Sequence, residues 1–271
     1  VSGNGTLAAS NSGRRALVSS VNLQAGKTLT VDATLSELAL SGAIAGDGNL
    51  VIAGDGTYVA TLSGGGVFNG TTTVGAGAQL LVSSTGGLGN VTGGTTVASG
   101  GSLLLTGSVT TLREPLTLSG TGVGGQGALA LAETASNTSA TFWGPITLAA
   151  ATDIRSLELG QTLTLANPTA ITGTNTALTV GGAGNLNILG AISLGTGSLT
   201  KDGFGTLILQ GVNNYSGATN VNEGVLQIFD AKALPTASTL NLGLQTTFQV
   251  NSADRKSTRL NSSHEWISRM P

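Results

Sequence analysis

The chain has 271 residues, with 11 Lys or Arg, 13 Asp or Glu and a single His, for a formal charge of −2. It contains no Cys, which excludes a disulfide framework and thiolate metal sites, and its weak acidity without a basic cluster excludes a surface built to bind nucleic-acid phosphates. Charged residues are 9% and aromatic residues 3% of the chain, while Gly alone supplies 43 positions, far from the composition of an average enzyme.

Short alternating runs follow one another along the chain, at 27–31, 49–52, 115–118, 161–165, 177–180, 185–188 and 206–209. Period-two alternation sets Leu, Val and Ile on one face and Thr or Asn on the other, so each run is expected to be a half-buried strand. Between the runs lie Gly46 and Gly48, Asn69-Gly70, Gly181-Gly182 and Gly195 to Gly197, residues suited to the positive φ of tight corners. Pro115 and Pro145 sit at strand edges and Pro168 and Pro235 in turns, where a missing donor does no harm. No apolar run approaches the roughly 18 residues that a membrane-spanning helix needs.

The order of parts in 203–228 occurs more than once. Gly190 answers Gly42 at 148 residues, Gly203 answers Gly54 at 149 and Ser216 answers Asn69 at 147, while 93–105 repeats only the second half. Recurring strand and turn units mean stacked rungs. Internal repetition, few aromatics and recurrent Asn and Thr at ladder positions favour a β-solenoid over a sandwich or barrel. At roughly 20 to 25 residues per rung, residues 1–253 are expected to make about ten to twelve rungs. The rod would be on the order of 50 Å long. The least repetitive stretch, 120–140, reads as a loop or an irregular rung.

Residues 199–228, LTKDGFGTLILQGVNNYSGATNVNEGVLQI, resemble the autotransporter-associated β-strand repeat, whose usual form is close to LTKxGxGTLTLSGxNTYTGGTTVxxGTLxL. The departures are Gln210, Asn214 and the trio Ala218, Thr219 and Asn220. The resemblance implies an all-β protein, a right-handed parallel β-helix exported to the surface of a Gram-negative bacterium as a structural stalk or adhesive passenger. It also implies an outer-membrane translocator or anchor elsewhere, with surface glycans or proteins as partners. It implies no catalysis.

Candidate sites are few. Serine or cysteine nucleophile chemistry needs a His or Cys partner, and residues 1–253 have neither. Asp47 with Asp55, or Asp202 with Glu223, has the residue types of a glycosidase pair or of calcium ligands in a β-helix polysaccharide lyase. Asp47, Asp55 and Asp202, however, sit beside Gly in turns, where Asp is favoured for its local hydrogen bonds. The lyase or hydrolase reading would require several carboxylates and basic residues on adjacent rungs of one face. The segment 181–189 is superficially similar to a calcium-binding nonapeptide but offers only Asn185 and Asn187 where a carboxylate is needed. No metal or cofactor is therefore expected. For ligand contact the candidates are Trp143, beside Gly144 and Pro145, and Tyr215, for which packing within the repeat is the alternative reading.

The last eighteen residues, 254–271, break the pattern. They hold four of the eleven basic residues and the only His, and the codons of 254–264 can be written as the constant part of a short-read sequencing adapter. This segment is expected to be a non-native, disordered tail, and 1–253 a fragment of a longer array.

Overall fold

The structure, a computed structural model, describes residues 3–11, 13–107, 109, 112–132, 138–169 and 171–251, together with the backbone of the strand Thr258–Asn261. Nearly all regular structure in these residues is short β-strand, with two 3-10 turns at Val123–Gly125 and Ala231–Ala233. The strands pair in parallel with the strand one rung away, so the chain is a β-solenoid of about eleven turns.

Each rung contributes strands to three columns. The first column runs from Gly5–Ala8 through Thr28–Asp32, Asn49–Ala53, Thr72–Val74, Thr95–Val97 and Leu116–Gly120 to Asn214–Tyr215. The second starts at Arg15–Leu17 and ends at Leu240–Leu242. Partners in this column lie from 20 residues apart (Val59 to Gln79) to 26 (Leu103 to Leu129), which agrees with the rung length expected from the repeats. The 11-residue strand Ile146–Ser156 belongs to both columns, since it passes through the corner between them without a break.

The third column is interrupted. Val21–Leu23, Ile44–Gly46 and Gly66–Phe68 form one small sheet; a second begins at Ser139–Phe142 and continues to Thr247–Val250. In the gap, Leu88 is buried and Leu112 forms a parallel bridge to Phe142. Within the stretch 120–140, the described residues form a loop that includes Val123–Gly125, the strand Leu129–Leu131 and the start of Ser139–Phe142. Of the tail, Thr258–Asn261 pairs with Thr247–Val250 in antiparallel fashion; the rest of 254–271 lies outside the described residues.

Alternation dictates what faces inward. In Thr206–Leu209 and Val225–Ile228 the residues Leu207, Leu209 and Leu226 are fully buried and Ile228 nearly so, while Ile208 and Gln227 are half-exposed. Corresponding positions stack through the rod, so one apolar core runs its length, with Phe68, Phe142 and Phe248 as its bulky members. Outside, polar side chains climb from rung to rung: Asn90 donates to Asn69, which donates to Asp47, and Asn241 donates to Asn220.

Candidate functional site

A group of ionisable side chains gathers at the corner between the second and third columns. In Leu199–Lys201 the alternation places Leu199 and Lys201 inward, and Lys201 is 2% exposed in register with Val180 and Val221. Its Nζ bends toward the corner and donates to the backbone oxygens of Asp202 at 2.9 Å, Gly203 at 2.5 Å and Glu223 at 3.2 Å. An ammonium has three protons, so all are used on the protein. Gly203 and Gly224, with φ of 72° and 71°, allow the tight corners that turn these oxygens toward one point. Burial pulls the Lys201 ammonium down to about 8, opposed by the negative charges of Asp202 and Glu223.

On the outer side of this corner Arg155 Nη2 reaches Asp153 at 3.1 Å and Asp202 at 3.6 Å, one nitrogen serving two carboxylates on different rungs. Asp202 also accepts from the Gly203 amide at 2.9 Å. The structure thus joins Asp202 and Glu223 around Lys201, as one of the two carboxylate pairs considered from sequence, and adds Asp153 and Arg155 to it. It separates the other pair. Asp47 stands at the corner between the third and first columns and accepts from Asn69 at 2.7 Å. Asp55 stands at the next corner, where the amide of Thr57 donates at 2.9 Å and, with the Thr57 side chain, holds the carboxyl below its ordinary range.

The segment 181–189 is engaged in ladders. Asn185 accepts from the Thr206 amide and Asn187 from Gln210, each one rung on. Among the described residues no three His, Cys, Asp or Glu side chains come close enough together to hold a metal ion.

Trp143 and Tyr215 have different surroundings. Tyr215 is 2% exposed, and its hydroxyl shares a hydrogen bond with Thr219, itself linked to Ser238. Burial pushes its phenol up to about 12. It is a packing residue with no ring face at the surface. Trp143 is 37% exposed, and the Arg113 guanidinium lies 5.2 Å from its ring centroid on the preceding rung.

Three features escaped the reading of the sequence. Lys201 was signalled by parity, since Leu199-Thr200-Lys201 alternates with Lys on the apolar side. Glu114 is 2% exposed; one carboxyl oxygen accepts from Thr95 at 2.9 Å and the other has no partner among the described residues. Burial pushes it up to about 8, so it is neutral near pH 7. Its signal was position, two residues before the inward Leu116. The Arg155 contacts had none, because Arg155 and Asp202 are 47 residues apart and only rung stacking brings them together.

Residues 199–228 match the family described as passenger-associated-transport-repeat. The match spans one and a half rungs: it begins in the second column, goes once round, and ends in the third. No curated protein and no solved structure matches the chain. The chain is thus a β-solenoid carrying a passenger repeat, as its sequence pattern led us to expect.

Proposed function

We propose that this chain is part of the exported passenger of a Gram-negative surface protein, acting as stalk and adhesive surface without a catalytic centre. The observation that carries the reading is the repeat match on 199–228, where the fold engages Lys201 on corner oxygens, Asp202 on Gly203 and Arg155, and Tyr215 on Thr219. A location outside the outer membrane is what passenger repeats imply. Another part of the system, a translocator or anchor, would deliver it there, and its partners would be surface glycans or proteins. The absence of Cys suits a rod that crosses a pore unfolded and folds outside.

The test is display. Placed between a signal sequence and an outer-membrane translocator, the chain should become accessible to added protease on intact cells and should hold those cells to a glycan- or protein-coated surface. Retention inside the cell, or display without any gain in adhesion, would sink the reading.

One observation favours a second reading, a β-helix polysaccharide lyase or hydrolase. Asp153, Asp202 and Glu223 stand near Arg155 and Lys201 at one corner, the kind of gathering such chemistry requires. Release of new chain ends from pectin, alginate or other polysaccharides, lost on Asp153→Ala or Asp202→Ala, would establish it over the first.

A further inference from the structure

We propose that the outward face of the first column binds a neutral polysaccharide laid along the rod; this deepens the adhesive reading and rests on it. The central outward position of the column is in register through ten successive rungs from Thr6 to Asn214. Its middle is an unbroken file of Thr73, Thr96, Thr117, Thr147 and Thr172. Each Thr presents a hydroxyl and a methyl group at the rung spacing of about 4.8 Å. The Thr147 and Thr172 hydroxyls lie 3.4 Å apart, and Thr172 also reaches the Ile146 carbonyl at 3.4 Å.

Apart from Asp32 in the strand Thr28–Asp32, the face is uncharged. Two residues after Thr73, Thr96, Thr117 and Thr147 come Gly75, Ala98, Ser119 and Ala149; two residues before come Thr71, Gly94, Pro115 and Pro145. None carries a charge or a long side chain, while the ionic groups gather at a different corner. No cation stands in these three files, and Arg113 lies at the rim against Trp143, so charge complementarity points to a neutral polymer.

The dimensions favour a linear polymer over a protein. Nine steps of about 4.8 Å and a strand width of about 13 Å give on the order of 600 Å². That falls short of the roughly 800 Å² per partner of a standard protein interface. The three files also lack the Tyr, Trp and Arg on which such interfaces depend. A sugar polymer has what the face complements: hydroxyls at a regular interval to pair with Thr hydroxyls, and C–H surfaces to lie against Thr methyls. Trp143 stands at the rim, at the corner that enters the strand of Thr147, with Arg113 against its ring.

The experiment is retention of the full chain on microcrystalline cellulose, insoluble β-glucan and mannan, with pectin and alginate as anionic counterparts. At least one neutral polymer should retain it. The triple variant Thr96→Lys, Thr117→Lys, Thr147→Lys should lower that retention tenfold or more, with circular dichroism and melting unchanged. Trp143→Ala should lower it a few fold. A control triple on the outward face of the third column, Thr164→Lys, Ile208→Lys, Gln227→Lys, should bind as the parent does. The proposal is overturned if no neutral polymer retains the chain, if pectin or alginate is preferred, or if the first-column triple binds undiminished. Surface adhesion by displayed cells that survives the first-column triple would leave the adhesive reading standing and remove only this face from it. Loss of all adhesion in the parent would remove both.

Discussion

The early and late rungs use the same sequence pattern in different places on the triangle. In 216–228 the repeat's second half puts Thr219–Val221 in the second column and Val225–Ile228 in the third. Its copies at 69–82 and 93–105 put Thr72–Val74 and Thr95–Val97 in the first column and Gln79–Val82 and Ser102–Leu105 in the second. Both earlier copies are turned by one column. The first half of the repeat agrees, for Gly203 lies between the second and third columns and its counterpart Gly54 between the first and second. What the pattern encodes is therefore a strand, a corner and a strand, with no address on the triangle. The two settings meet where Ile146–Ser156 runs through a corner unbroken and the third column resumes.

The largest expected effect tests whether turned copies are equivalent in energy. Leu209 in Thr206–Leu209 corresponds to Leu62 in Val59–Leu62, and both are buried. Leu209→Asp and Leu62→Asp should each cost several kcal/mol, about what an unpaired buried charge costs. The outward Ile208→Thr should cost less than about 1 kcal/mol. Urea unfolding measures all three. A tolerated Leu62→Asp would break the equivalence; equal sensitivity at 208 and 209 would break the register.

A smaller effect separates two buried polar side chains at the corner between the third and first columns. In the late rungs Asn213 is satisfied, accepting from the Ile192 amide and donating to the Ala233 carbonyl. In the early rungs Glu114 is half satisfied. Because its folded pKa of about 8 lies above the ordinary 4.5, the native state holds a proton that the unfolded state releases. Stability should be highest below pH 4.5, fall as pH rises toward 8, and level off beyond it. Glu114→Gln should flatten that fall by a few kcal/mol in denaturant titrations at pH 5, 7 and 8.5. A parent and variant that keep the same pH dependence would show the carboxyl to be solvated.

Lys201 sharpens the comparison further, since its counterpart in the turned copy is Ile52, wholly apolar and buried. Lys201→Met should cost about 1 to 3 kcal/mol, because three corner oxygens lose their donor while the core gains apolar volume. A stabilised variant would mean that the corner has no need of the ammonium. The smallest effect is expected from the tail: removing 254–271 should move the melting temperature by less than about 4 °C, the shift that some 1 kcal/mol produces in a chain of this size. A larger loss would make the antiparallel pairing of Thr258–Asn261 part of the stable structure.

Strand positions and inward faces were legible because both follow from alternation within four or five residues. The run at 185–188 is the strand Asn185–Ile188, and Leu207, Leu209, Val221, Leu226 and Ile228 all point inward. The column was not legible, because three corners of similar Gly-rich sequence look alike along the chain. Contacts between rungs were out of reach for the same reason: Arg155 with Asp202 depends on how many residues each intervening corner consumes. Tyr215 and Asp202 behaved as the repeat and turn chemistry suggest, being held by Thr219 and Gly203. Lys201 and Glu114 violate the rule that inward positions are apolar, and each does so next to a corner, where backbone oxygens or a Thr hydroxyl come within reach.

The unbroken strand Ile146–Ser156 shows what a rod written in strand-and-corner units has to respect: a reading frame in space. Gain or loss of one unit leaves every downstream apolar residue pointing to the axis, so the core does not register the change. Every downstream outward residue, however, moves to a neighbouring face. A surface that continues across many rungs, such as the line from Thr147 through Thr172 to Asn214, survives changes in length only when units come and go in threes.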